Sequence, residues 1–235
     1  MLKISYLNTV KRTIIGYFFA LALVVVGSLC GGEYDAFAYV AISHEPEVPY
    51  EVFTITTPLS IEQWYLGTLT QFPELYEFTL TENTAVHLSL KMPINVDLEA
   101  IQPVLLLVRD AGSDGVEEIA RLPFVASDWL EETDIRSRLV SYSAPPFALE
   151  LTPGLYRVEV SSPNNEGQYM LVVGKDTTRP SFITSFKTTA ALYEFNQVPK
   201  IMMLRSSVVY FPLGVFFFLV LLGVTWRYRA RLRFS

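Results

Sequence analysis

The chain has 235 residues, a net charge of −6, a single cysteine and 51% apolar residues, an excess that sits in two end segments. Residues 31–205 hold all 24 carboxylates but only eleven of the 18 Lys and Arg, a net of −13. Such an acidic body excludes a nucleic-acid partner, which needs cationic surface to displace phosphate counterions. With Cys30 as its only cysteine, the folded region is held without a disulfide or thiolate metal ligand.

In chain order, residues 1–12 form a short basic lead, and Thr13–Cys30 carries no charge. Together, residues 1–38 read as a signal peptide, with Ala36-Phe37-Ala38 as the small-X-small cleavage pattern, or as a retained signal anchor. A lipoprotein signal is disfavoured by the bulky Leu29 before Cys30. Either way, the positive-inside rule sends the downstream domain out of the cytoplasm.

Residues 39–50, with Pro46 and Pro49, read as an irregular leader into a domain spanning 51–175. Strand-like runs then recur at Glu51–Thr57, Trp64–Thr70, Leu75–Leu80, Ala85–Lys91, Pro103–Arg109, Val116–Leu122, Arg138–Ser143 and Phe147–Leu151. In Tyr76, Phe78 and Leu80, and in Val86, Leu88 and Leu90, apolar residues alternate with polar ones, so one face is buried. Val104–Val108 is apolar throughout, the pattern of a strand covered on both faces. Within Val125–Arg138, Ser127 or Asp128 is placed to cap one helical turn. The domain closes on Tyr156–Val160 and Tyr169–Val173, two alternating runs around the turn cluster Ser161–Gly167, which read as a hairpin. About ten short strands of this kind give an all-β fold, an antiparallel β-sandwich or jelly roll.

After a boundary near Pro180, residues 176–205 form a juxtamembrane segment with apolar residues at helical spacing (Ile183, Phe186, Ala190, Tyr193), suited to an amphipathic helix at a membrane interface. Residues 206–226 form the second apolar run. At about 1.5 Å per residue it covers about 30 Å, the thickness of the hydrocarbon layer. Tyr210, Trp226 and Tyr228 fall where interfacial aromatics belong, and Pro212 lies near the outer end. The tail, 227–235, supplies Arg227, Arg229, Arg231 and Arg233 for anionic lipid on the cytoplasmic side. The expected address is therefore the cell membrane, single-pass, with the domain outside and the C-terminus cytoplasmic.

Several stretches of the domain resemble the bacterial pre-peptidase C-terminal domain. They are Tyr65-Leu66-Gly67-Thr68-Leu69, Tyr76-Glu77-Phe78-Thr79-Leu80 with Thr84–Leu90, and Leu105–Asp110. The closing pair is Leu151-Thr152-Pro153-Gly154-Leu155-Tyr156-Arg157-Val158-Glu159-Val160 with Gly167-Gln168-Tyr169-Met170-Leu171-Val172-Val173. The resemblance covers about half the chain and implies a jelly-roll sandwich whose closing strands pack aromatics inward. It implies no catalytic chemistry.

Candidate sites arise from the chemistry of particular residues. Asp110–Glu118 (DAGSDGVEE) packs four carboxylates around two glycines. It reads first as a hairpin turn at Asp114-Gly115, and second as a calcium site using Asp110, Asp114 and Glu117. Trp129, in the irregular insert, and Trp64 are the best candidates for an aromatic ligand surface. Asp128, Glu131, Glu132 and Asp134 read as a solvated acidic loop. The sequence has no nucleophile elbow, Walker, Rossmann or zinc-ligand pattern. A non-catalytic binding or adhesion module for a glycan, envelope or protein ligand is expected. An accessory subunit of a membrane complex is the alternative.

Overall fold

The computed structural model describes residues 39–178 and 180–231. The signal peptide or anchor expected over 1–38 lies outside the described residues. Among the described residues twelve strands form two sheets. In chain order they are β1 (Val40–Ser43), β2 (Val52–Thr54), β3 (Gln63–Thr70), β4 (Glu74–Leu80), β5 (Thr84–Pro93) and β6 (Val104–Asp110). They continue with β7 (Val116–Leu122), β8 (Leu130–Thr133), β9 (Val140–Ser143), β10 (Phe147–Leu151), β11 (Gly154–Ser161) and β12 (Glu166–Val173). Among the described residues three α-helices join them: the single turn α1 (Leu98–Ile101), α2 (Phe182–Phe195) and α3 (Ser207–Arg231).

One sheet has the order β1-β3-β12-β5-β9-β8, with β10 also paired to β5, and the other has β2-β4-β11-β6-β7. The two pack face to face as a sandwich. Tyr65, Leu88, Leu90, Leu171 and Val173 from the first meet Tyr76, Phe78, Leu105, Leu107, Tyr156 and Val158 from the second, all buried in one core. Alternation along each strand is what places these side chains on the inner faces. The Leu151–Tyr156 motif turns the chain between β10 and β11. There the Tyr156 hydroxyl donates to the Thr152 carbonyl at 2.8 Å, fixing the corner from within.

The closing runs do not form a hairpin. β11 pairs with β4 and β6, whereas β12 pairs with β3 and β5 in the opposite sheet. The four residues between them arch across the end of the sandwich, with Asn165 at φ 47° and its side chain accepting from the Ser162 N–H at 3.1 Å. Period-2 alternation satisfies either arrangement, because both put Tyr156, Val158, Tyr169 and Leu171 in the core.

The expected leader contributes one edge strand, β1, and the expected run Glu51–Thr57 contributes a second, β2. β1 pairs parallel with β3, and β2 parallel with β4. The insert forms a short 3-10 turn at Ala126–Asp128 and then strand β8 on β9, in place of a helical turn. Val104–Val108 is covered on one face only: Leu105 and Leu107 are fully buried, while Val104, Leu106 and Val108 are half-buried on the outer side. Strands covered on both faces are β3 and β12, whose Trp64, Leu66, Met170 and Val172 turn outward beneath α2.

That cover is the third layer. α2 begins at Ser181, whose hydroxyl caps the Thr184 N–H at 3.1 Å. It lays Leu192 against Tyr39, Trp64, Leu66, Met170 and Val172, with Ala191 and Phe195 beside them. The interfacial helix expected for this segment is thus docked on the sandwich, and the folded unit runs past 51–175 to include β1 and α2. Its packed side is Thr188, Thr189, Leu192 and Tyr193, so of the expected membrane stripe Tyr193 is buried against the sandwich while Ile183 and Phe186 stay exposed.

Candidate functional site

The register of β3 defines two ends of the molecule. Its first residue, Gln63, lies beside Val40, and its last, Thr70, beside Glu166. At about 3.3 Å per residue these ends lie about 23 Å apart.

At the Gln63 end, the turn between β8 and β9 ties the sandwich to both helices. Asp134 is the hub: its carboxylate accepts from the Tyr39 hydroxyl at 2.8 Å and the Ser137 N–H at 2.6 Å. Arg136 is buried, donates through Nη1 to the Tyr39 carbonyl at 3.0 Å, and lies over the Tyr39 ring at 5.5 Å. Burial lowers its pKa, against the opposing pull of Tyr39 and Asp134. Burial likewise raises the Tyr39 phenol, reinforced by the Asp134 charge, so the phenol stays neutral. Tyr193 of α2 donates to the Ser137 carbonyl at 2.8 Å and lies 3.1 Å from that of Met202. The Arg136 carbonyl in turn accepts from the N–H of Ser207 at 3.0 Å and from its hydroxyl at 3.2 Å. Ser207 is the first residue of α3, so the sandwich grips that helix at its first residue.

From Ser207 to Trp226, α3 offers 20 residues of mean hydropathy 2.4, none of them buried against the sandwich. It is long and apolar enough to cross a membrane.

At the Thr70 end lies a cleft of about 160 Å³ between the 46–51 loop and the β3–β4 turn. Tyr50 and Phe72 meet edge to face at 5.2 Å on its wall, Glu47 and Glu51 line its rim, and Glu74 closes it. The Glu74 carboxylate is 3% exposed and accepts from the hydroxyls of Tyr169 at 2.8 Å and Tyr76 at 3.0 Å. Those two hydroxyls also meet each other at 2.9 Å. Burial raises the Glu74 pKa, while the Tyr169 and Tyr76 hydroxyls pull it down. Aromatic walls and acidic residues in one cleft suit a small cationic or hydrogen-bond-donating group.

The raised pKa has a consequence for stability. The folded state binds the Glu74 proton more tightly than the unfolded chain does. The stabilisation is therefore complete below the ordinary carboxylate value, about 4.3, and is lost as pH rises through the raised folded value. Glu74→Gln keeps a carbonyl acceptor and cannot titrate. Its urea midpoint is expected to fall less than that of the parent between about pH 4 and pH 8. Equal slopes for the two proteins would refute this assignment.

The residues singled out from sequence are distributed differently. Trp64 is 4% exposed beneath α2, stacked on Tyr39 at 3.9 Å, with Lys91 Nζ 4.8 Å from its ring and its indole N–H donating to Glu62 at 2.7 Å. Trp129 is 8% exposed and belongs to the main core, 6.2 Å from Phe124. Neither indole presents an open face, so the expected aromatic platform is not formed. Local sequence could not reveal this, because Trp64 is covered by a helix about 120 residues further on.

β6 and β7 do form the expected hairpin, with Gly115 at φ 90° and the Asp110 carboxylate accepting from the Gly112 N–H at 2.7 Å. Glu117 sits opposite Arg109 across that hairpin. The part of the calcium reading that falls on the Asp114 side chain lies outside the described residues. Among the described residues, no group of three or more His, Cys, Asp or Glu is arranged to hold a metal.

The acidic insert is only partly solvated: Glu132 pairs with Lys91 at 2.6 Å, and Asp134 serves the hub above. The side chains of Arg227, Arg229 and Arg231, and all of Arg233, lie outside the described residues. Sequence reasoning passed over Tyr39, Arg136 and Glu74, and read Tyr193 only as part of an apolar stripe, since a lone polar or aromatic side chain carries no signal of its partners.

The architecture defines a class: a β-sandwich with a helix packed on one sheet and an apolar C-terminal helix gripped at its first residue. No family model matches the chain, and no curated protein does either. Among solved structures it is similar to the pre-peptidase C-terminal domain of collagenase from Bacillus anthracis, at 13% identity over 55% of this chain and 98% of that one, with a TM-score of 0.33. It is also similar to a periplasmic inhibitor of g-type lysozyme from Aeromonas hydrophila, at 10% identity over 54% of this chain and 96% of that one, with a TM-score of 0.35. A third is the Yersinia pseudotuberculosis-derived mitogen, at 18% identity over 51% of this chain and 91% of that one, with a TM-score of 0.33.

Proposed function

We propose that this chain is a membrane-anchored, extracytoplasmic, non-catalytic β-sandwich module that binds a glycan, cell-envelope or protein ligand. The observation that carries the reading is the helix Ser207–Trp226, apolar on every side and unburied along its length. In water such a surface would be a severe liability; in a bilayer it is satisfied. The arginines after it hold the C-terminus in the cytoplasm by the positive-inside rule, which leaves the sandwich outside.

The ligand is assigned to the cleft at the Thr70 end, the end away from α3, where Glu47, Glu51, Tyr50 and Phe72 meet. A screen of the full chain in detergent against glycans, peptidoglycan fragments and envelope proteins tests this, alongside a Glu47→Ala, Glu51→Ala variant. The expected result is binding that the variant weakens; binding unaffected by the variant would remove the cleft from the proposal, and no binding to any class would remove the module reading.

The second reading, an accessory subunit of a membrane complex, is favoured by the grip of Arg136 on Ser207. A domain held at a fixed angle to its span suits a neighbour in the membrane better than a free-swinging adhesin does. A stoichiometric membrane partner retained after replacement of the sandwich, but lost on replacement of the span, would decide for it.

A further inference from the structure

Resting on the reading of Ser207–Trp226 as a span, we propose that the sandwich does not hang above the membrane. In this proposal it is seated in the lipid headgroup layer through Ile135 and the 3-10 segment Lys200–Arg205.

Position is the first ground. A span of 20 residues covers about 30 Å, so all of it is needed to cross the hydrocarbon and Ser207 lies at the outer boundary. Whatever is fixed close to Ser207 then lies in the interfacial layer, which adds roughly 5–8 Å on each side of the hydrocarbon. Two segments are so fixed. Arg136 receives both hydrogen bonds from Ser207, which puts its neighbour Ile135 beside the first residue of the span. The 3-10 segment ends at Arg205, two residues before it, and is followed by a buried Ser206 whose N–H donates to the Met203 carbonyl at 2.9 Å.

Side-chain chemistry agrees. Ile135 is 62% exposed and Ile201 71%, and Met202 and Leu204 are exposed beside them. Only Met203 of that segment turns inward. Large aliphatic side chains gathered at one place on a soluble surface call for a partner. The exposed Arg138 and Arg205, with Lys200 paired to Glu194 at 3.4 Å, flank the cluster. Aliphatic side chains ringed by cations are what the boundary between acyl chains and phosphates accommodates. The exposed apolar residues of α2, Phe182, Ile183 and Phe186, do not share this placement. Ala41 N–H donates to Thr188 and Tyr193 bonds to Ser137, so α2 runs toward the span with its N-terminal half farthest from it.

The seat is tested on the full chain carrying Cys30→Ser, reconstituted in vesicles of phosphatidylcholine and phosphatidylglycerol. An environment-sensitive fluorophore is placed on one cysteine at a time: Ile135→Cys, Ile201→Cys, Val48→Cys on the far cleft loop, or Leu219→Cys within the span. Probes at 135 and 201 are expected to be blue-shifted, quenched by headgroup-level spin-labelled lipid, and several-fold less sensitive to aqueous iodide than the probe at 48. Iodide sensitivity at 135 and 201 equal to that at 48, with the probe at 219 quenched by lipid, would overturn the seat and leave the span standing. A probe at 219 open to iodide would overturn both.

Discussion

Gly67→Ala is expected to destabilise the folded chain by about 3 kcal/mol, combining overpacking with a broken buried hydrogen bond. Gly67 lies directly opposite Tyr169 in the β3–β12 ladder, on the inner face of the sheet. The Tyr169 ring lies across it, so an added Cβ would come within 2.5 Å of Tyr169 Cζ and 2.7 Å of Glu74 Oε2. Tyr169 is fully buried and cannot swing aside without dropping its bonds to Glu74 and Tyr76. Chemical denaturation of the full chain in detergent measures the loss. The mechanism makes a second demand: Gly67→Ala and Tyr169→Leu together should cost less than the sum of the two single changes, because leucine vacates the space the methyl needs. Strict additivity would show that the contact is not the cause.

The second large effect concerns the membrane. Arginine at the centre of a span costs about 2.5–3.5 kcal/mol per residue. The pair Phe217→Arg and Val220→Arg is therefore expected to release residues 39–235 from vesicles, with the parent floating in a density gradient and the variant remaining at the bottom. Since α3 touches the sandwich only near Ser207, the variant should keep the parent's melting temperature. A floating variant would remove α3 as the anchor.

Much of this molecule is legible along the chain. Alternation in Tyr76–Leu80, Val86–Leu90 and Tyr156–Val160 fixes which side chains face the core, since successive residues of a strand point to opposite faces whatever the strand pairs with. The apolar run 206–226 needs only its length and its lack of charge. The turn at Gly112–Gly115 comes from local backbone chemistry, with two glycines at positive φ and one aspartate to cap it.

Pairing partners and outer faces are matters of tertiary structure. The same alternation serves a hairpin or a cross-sandwich arch, and only the filling of both sheets sends β12 to lie between β3 and β5. Residues 39–43 lack the length to declare a strand, and become one because the edge of β3 offers unpaired backbone groups. Trp64 looked available to a ligand because nothing near it in sequence covers it; α2 does. The grip on α3 depends on the turn after β8, brought beside Ser207 by contacts that span about 70 positions. Residue order alone dictates which strand faces are buried and that an apolar helix comes after the sandwich. Where that helix is held, and which end of the sandwich faces away from it, are set by long-range contacts. Backbone period and hydropathy are local properties, whereas the cover of a face and the partner of a hydrogen bond belong to elements far apart in the chain.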